Sequence, residues 1–179
     1  PSGAAAGGDV VITHGSQQAL DLLVRVLGDP GDVVVVEQPT YLGWLQALAG
    51  SGARVVPIPT DADGLDPDAL AAELRRGLRP TLAYLAPTYQ NPSGSVMPAP
   101  RRAALGELAA RYGFVVVALD PYRELGFEGA PPPRLRSFVP PELAVTVGTV
   151  SKTIAPGLRV GWVHLPAWLR GPVIRAKQA

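Results

Sequence analysis

Short apolar runs rich in β-branched residues alternate with longer stretches of helical periodicity along this chain, and this alternation restricts the folds it can adopt. The runs typical of strands are residues 10–13, 33–37, 54–58, 81–86, 114–119, 144–147 and 160–164. The stretches with apolar residues near helical spacing are residues 16–27, 41–49, 67–78 and 99–112. Runs that are apolar throughout, such as residues 33–36 and 115–117, indicate strands buried on both faces. The pattern therefore predicts an α/β fold, with three α/β/α layers around a mostly parallel sheet.

The composition is that of one globular domain, because 47% of the 179 residues are apolar and 17% are charged. The net charge of +1 gives no electrostatic reason to expect nucleic acid or an anionic membrane as a partner. Cysteine is absent, which excludes disulfides, a thiolate zinc site and a cysteine nucleophile. His14 and His164 lack the spacing of metal ligands. No apolar run approaches the ~18 residues that span a bilayer, and residues 1–10 do not resemble a signal peptide. We therefore expect a cytoplasmic protein without a metal site.

The loops that follow the predicted strands are the candidate sites, because ligands of parallel sheets bind at the carboxyl ends of the strands. Ser16 follows one strand and opens a helix, where backbone N–H groups and the helix dipole favour an anion. An ordinary N-cap is the alternative. Tyr41 follows the next strand and is either a core aromatic or a flat surface for a planar ligand. Taken singly, neither Ser16 nor Tyr41 shows which of its two interpretations is correct.

Two further strand ends carry side chains that could point at one ligand. Residues 86–98 contain three prolines and one glycine. This segment is therefore stiff, can hold a cis peptide bond and can aim the Asn91 amide at one point. The strand that ends near residue 119 brings Asp120 and Tyr122 to the same edge of the sheet. An ordinary surface turn explains Asn91 equally well, and a turn aspartate before proline explains Asp120.

The segment TVSKTIAPGLRVGWV, residues 149–163, holds a single lysine among small residues. Such a lysine can lose its proton more readily than a solvated one, through desolvation or a nearby cation. A Schiff-base lysine needs this property. In this interpretation Arg159 pairs with an anion, and the Ser151 hydroxyl is a further donor. A phosphate-binding P-loop is excluded, since it needs glycine at the positions of Thr146 and Ser151, and no GxSxG serine-hydrolase motif is present.

The five loops in order, GSQQAL, PTY, NPSG, DPY and SKTIAPGLRVGW, resemble those of the fold-type I aminotransferases that depend on pyridoxal 5′-phosphate. The resemblance covers residues 10–168 and is closest to the branch of 2-aminoadipate and kynurenine aminotransferases. It implies transamination between an α-amino acid and a 2-oxo acid, a biosynthetic role and a homodimer in the full-length form. The family's small domain and N-terminal arm have no counterpart here. We therefore expect residues 1–179 to be a partial large domain that binds the cofactor and is inactive alone.

The same resemblance implies a role for each candidate residue. Lys152 would form the Schiff base with the cofactor aldehyde and carry the proton during catalysis, with Tyr122 as the second catalytic residue. Tyr41 would stack on the pyridine ring, while Asn91 and Tyr122 would form hydrogen bonds to its phenolic oxygen. The phosphate would be bound by Ser16, Gln17, Thr149, Ser151 and Arg159.

One position departs from the family pattern. The family has an aspartate three residues before the tyrosine, where it pairs with the pyridine nitrogen, and this chain has Leu119 there. Asp120 comes one residue later, and a shift of one residue in a strand turns a side chain to the other face. Either the strand end bends and Asp120 contacts the cofactor, or the ring nitrogen has no carboxylate and transamination is poor.

The departure keeps a second function open. The alternative to an aminotransferase is a non-enzymatic or degenerate module that binds pyridoxal phosphate, such as the ligand-sensing domain of a transcription regulator. Some bacterial regulators contain such aminotransferase-like domains. A winged-helix DNA-binding domain ahead of residue 1 would indicate this alternative.

Overall fold

The computed structural model describes residues 8–127 and 129–179, which form a single sheet with helices on both faces. The strands are β1 (Gly8–Thr13), β2 (Val33–Gln38), β3 (Arg54–Asp61), β4 (Gly64–Leu65), β5 (Leu82–Leu85), β6 (Val115–Leu119), β7 (Ala144–Thr149) and β8 (Gly161–Pro166). The helices are α1 (Gly15–Leu27), α2 (Leu42–Leu48), α3 (Pro67–Arg75), α4 (Ala99–Tyr112) and α5 (Ala167–Gln178). Within the described ranges, no helix is both long and apolar enough to cross a membrane. Most of the stretch compared above with a signal peptide, residues 1–7, lies outside the described residues.

The strands lie in the order β1-β8-β7-β6-β5-β2-β3-β4. The central strands β7, β6, β5, β2 and β3 are parallel to one another, so the prediction of a mostly parallel sheet is confirmed. β8 is antiparallel to both β7 and β1, and the short β4 is antiparallel to β3. The apolar pattern could not show these reversals, since a strand buried on both faces looks alike in either direction. The carboxyl ends of the parallel strands meet at one edge, where β8 begins.

Two apolar clusters, one on each face of the sheet, form the core. Successive strand residues alternate between the clusters, as the pleat of a strand requires. Leu119 belongs to the cluster that α1, α2 and α5 cover, whereas its neighbour Ala118 belongs to the cluster that α3 and α4 cover. The three-layer arrangement predicted from the sequence is therefore confirmed.

Candidate functional site

A cavity of about 200 Å³ opens at the edge of the sheet where the parallel strands end. Its walls come from the loops that follow β1, β2, β5, β6 and β7. The lining residues are Ser16, Gln17, Tyr41, Ala86, Asn91, Leu119, Pro121, Tyr122, Thr149, Ser151, Lys152, Pro156 and Arg159. The structure thus brings together every residue assigned to the cofactor from the sequence except Asp120. Sequence reasoning missed Ala86, Pro121 and Pro156, because apolar wall residues carry no chemical signal.

The guanidinium of Arg159 lies directly over the first turn of helix α1. A Cβ atom on Gly15 would come within 2.5 Å of Arg159 Nη2, and this nitrogen is 3.5 Å from the His14 carbonyl oxygen. In residues 8–127 and 129–179 no carboxylate forms an ion pair with Arg159, and the first turn of α1 holds no acidic residue. The Arg159 guanidinium and the positive end of the α1 dipole therefore lie close together, and no carboxylate of the described residues neutralises them. This arrangement favours a phosphate.

The start of strand β8 packs against the same turn of α1. A Cβ atom on Gly161 would lie 2.5 Å from the Gly15 carbonyl carbon and 2.8 Å from the Ser16 nitrogen. Gly15 has a φ of +76°, in the left-handed region that favours glycine. The two glycines therefore allow the two backbones to meet, and their contact sets how closely Arg159 approaches the helix N–H groups.

We expect Gly161→Ala to weaken both the fold and the anion site. The added methyl group must displace backbone atoms, and overpacking of this kind typically costs about 1–3 kcal/mol. Urea unfolding should show a free energy of unfolding lower by that amount, and calorimetry should show weaker binding of inorganic phosphate. Gly157→Ala is the matched control, because no atom lies within 4 Å of the methyl group that it would add. Equal stability of the two variants would contradict the close approach.

Lys152 lies in the turn between β7 and β8, which hydroxyl groups hold in place. Thr149 Oγ1 lies 2.9 Å from both Ser151 Oγ and the Val160 carbonyl oxygen, and it accepts the Ser151 N–H at 3.1 Å. Lys152 itself is exposed at the edge of the cavity. Its exposure corrects one expectation, since burial was one of two effects thought to ease the loss of its proton.

Buried Gln90 connects the loop after β2 to the loop after β5. Its Nε2 donates to the Pro39 carbonyl oxygen at 2.8 Å and to Glu37 Oε2 at 3.3 Å. Its Oε1 accepts the backbone N–H and the hydroxyl of Ser93 at 2.8 and 2.7 Å. Asn91, between these anchors, is followed by a cis peptide bond, which the composition of the segment allowed. Gln90 therefore holds the turn that brings Asn91 to the cavity.

The carboxyl group of Glu37 is buried beneath these two loops. Its Oε2 also accepts the Ala86 N–H at 2.9 Å. Burial raises the pKa of Glu37 to about 7, although the hydrogen bonds from Ala86 and Gln90 act in the opposite direction. Sequence reasoning missed this residue, because its burial depends on the neighbouring strand β5, distant in sequence.

We expect the contribution of Glu37 to stability to fall as the pH rises to neutrality. The pKa of about 7 in the folded state exceeds the ordinary value of 4.5, so the folded state binds the proton more tightly than the unfolded state. The contribution is fully present below pH 4.5 and is lost as the pH rises through 7, by about 3 kcal/mol in total. Urea unfolding of the parent and of Glu37→Gln between pH 4.5 and 8 measures this loss. Parallel pH profiles of the two proteins would contradict a buried, titrating carboxyl group.

Asp120 lies on the side of the sheet that faces α4, away from the cavity. Its Oδ2 is 3.5 Å from Arg134 Nη1. Burial raises the pKa of Asp120, against the hydrogen bond of Thr88 and the positive charges of Arg134 and Arg102, which lower it. Leu119, the preceding residue, lines the cavity instead. The strand end keeps its regular alternation, so the bend that would bring Asp120 to the cofactor is not observed.

The chain matches one family model and is similar to several known proteins. A family model described as aminotransferase class I and II matches residues 5–178. The chain is similar to aromatic-amino-acid aminotransferase 1 of Thermococcus litoralis, with 42% identity over 87% of this chain and 38% of that protein. It is also similar to 2-aminoadipate transaminase of Thermus thermophilus, with 40% identity over 95% of this chain and 43% of that protein. The chain thus spans about two fifths of the length of these curated relatives.

A solved structure shares the fold over nearly the whole chain. It is Pyrococcus horikoshii kynurenine aminotransferase in complex with PMP, with KYN as substrates and KYA as products. Its TM-score is 0.92 at 41% identity, and the match covers 97% of this chain and 44% of that one.

Proposed function

Because this chain belongs to the class I and II aminotransferase family, we propose that it is the cofactor-binding part of an enzyme that depends on pyridoxal phosphate. The enzyme would transfer an amino group between an α-amino acid and a 2-oxo acid. One observation carries the proposal: a single cavity holds the amine of Lys152 and an end, formed by Arg159 and α1, that favours a phosphate.

The phosphate of the cofactor fits the end of the cavity at α1. Arg159 offers a guanidinium fork, and Ser16 and Ser151 offer hydroxyl groups. Gln17 Nε2 already donates to the Gly43 carbonyl oxygen at 2.7 Å, which ties α1 to α2. We therefore assign the backbone N–H of Gln17, rather than its side chain, to the phosphate.

The middle of the cavity suits a flat ring with a phenolic oxygen. Tyr41 offers an aromatic face, and its ring packs closely over Gly43, where a Cβ atom would come within 2.5 Å of it. The Asn91 amide and the Tyr122 hydroxyl can both donate hydrogen bonds to a phenolate. Loss of either donor should weaken binding of the cofactor ring and leave the phosphate contacts in place.

Lys152 carries the chemistry that the chain itself contributes. When bound, pyridoxal phosphate supplies an aldehyde that combines with amines and a ring that withdraws electrons from the reacting carbon. Lys152 would hold the aldehyde in the resting protein. When it does not hold the aldehyde, the amine of Lys152 would move the proton of the substrate Cα.

The experiment is a titration of the protein with pyridoxal phosphate followed by absorbance. We expect a saturable change in the visible spectrum, and pyridoxal, which lacks the phosphate, should bind much more weakly. A spectrum equal to the sum of the separate components would overturn the proposal. In the full-length protein, amino acids added afterwards should change the spectrum again. Aromatic amino acids, 2-aminoadipate and kynurenine are the first donors to test, since the relatives are named for them.

A further inference from the structure

The lining of the cavity indicates which way the ring nitrogen of the cofactor would point. In pyridoxal phosphate this nitrogen lies across the ring from the carbon that carries the aldehyde. Lys152, the partner proposed for the aldehyde, lines the cavity and is exposed to solvent. Leu119 and Ala86 are only 5% and 3% exposed and lie at the ends of the neighbouring strands β6 and β5. With the aldehyde at Lys152, the ring nitrogen therefore faces this buried floor.

The floor of the cavity offers the nitrogen no negative charge. The side chains of Leu119 and Ala86 are hydrocarbon, and none of the described residues that line the cavity is an aspartate or a glutamate. A protonated ring nitrogen would be an unpaired positive charge against apolar surface, which is unfavourable. Desolvation of this kind favours the uncharged form of a base.

The two buried carboxyl groups among the described residues, those of Asp120 and Glu37, face the other side of the sheet. Asp120 lies beside Arg134, and Glu37 accepts hydrogen bonds from Ala86 and Gln90. Either carboxylate could reach the floor only if its strand reversed the alternation of its side chains. The regular register of β6 with β7 runs through Leu119, which pairs with Val147, and that of β2 with β3 runs through Glu37, which pairs with Ile58, so no such reversal occurs in either strand.

We infer that this protein holds pyridoxal phosphate with an uncharged ring nitrogen, packed against Leu119. The inference rests on the proposed function, since it requires the cofactor to bind with its aldehyde at Lys152. An uncharged ring withdraws electrons less strongly than a protonated one. The protein should therefore bind the cofactor firmly, through Arg159 and Lys152, and yet remove the substrate proton slowly.

The test is the ¹⁵N resonance of pyridoxal phosphate labelled at the ring nitrogen and bound to the protein at pH 7. We expect the parent to give the resonance of a neutral pyridine. Leu119→Asp supplies a carboxylate at the floor and should move the resonance to that of a pyridinium ion. Asp120→Asn is the matched control one residue away, and it should leave the resonance of the parent unchanged.

A pyridinium resonance in the parent would overturn the inference. If Asp120→Asn then abolished that resonance, Asp120 would be the partner of the nitrogen. If Leu119→Asp does not fold, the ¹⁵N resonance of the cofactor bound to the parent protein still tests the inference. The proposed function fails in a different way, because the label would then give only the resonance of free cofactor and borohydride would attach nothing to Lys152.

Discussion

Lys152→Ala should abolish covalent capture of pyridoxal phosphate. After reduction with borohydride, the parent should carry the cofactor on the peptide that contains Lys152, and the variant should carry none. The physical reason is the position of the amine, since Lys152 lines the cavity that also holds the end favouring a phosphate. The chain has one other lysine, Lys177, in helix α5. It lines a separate hollow with β1 and α5 residues.

Lys177→Ala is the matched control and should retain the full label. Under the proposed function, Lys152→Ala should also lower the rate of transamination. Loss of a positioned proton carrier alone typically costs about 10²–10⁴-fold. Mass spectrometry of the reduced, digested protein makes the assignment directly. A label on Lys177, or an unchanged label in the Lys152 variant, would place the aldehyde elsewhere.

Arg159→Ala should raise the dissociation constant of pyridoxal phosphate by roughly ten- to a hundredfold. A charge-assisted hydrogen bond to a phosphate is typically worth about 1.5–3 kcal/mol, and Arg159 has no carboxylate partner in the described ranges to compete for it. Fluorescence titration with the cofactor measures the change. Arg159→Lys should give an intermediate constant, because it keeps the charge but loses the planar fork.

Arg25→Ala is the control for Arg159. Arg25 is an exposed arginine in the last turn of α1, where it pairs with Asp21 at 2.9 Å, and its loss should leave the dissociation constant unchanged. A constant that also stays unchanged in Arg159→Ala would mean that this guanidinium does not contact the phosphate.

Much of the site could be predicted because it follows from chain order and strand geometry. The loops after parallel strands must meet at one edge, so short motifs that follow those strands come together in space. The same geometry indicated that Leu119 and Asp120 face opposite sides of the sheet, since side chains alternate along a strand, but the sequence left open a bend that would bring Asp120 to the cofactor. The structure places Leu119 at the cavity and Asp120 on the far face.

The rest could not be predicted, because it depends on contacts between residues distant in sequence. The buried carboxyl of Glu37 and its bond to Gln90 join positions 53 residues apart. The approach of Gly161 to Gly15 depends on β8 running antiparallel beside β1, and no local pattern encodes that direction. Exposure of Lys152 likewise depends on how its turn leaves the sheet.

The position of β8 has a consequence for the order in which a newly made chain can acquire its ligand. β1 lies at the edge of the sheet and pairs with β8, so β1 cannot pair with β8 until β8 has been synthesised. Arg159 approaches the His14 carbonyl across 145 residues of sequence, and such distant contacts form late and slowly. The end of the cavity formed by Arg159 and α1 can therefore form only after residues up to 159 have left the ribosome. A nascent chain released before residue 159 should ignore the cofactor, and cofactor capture should report that the sheet is complete.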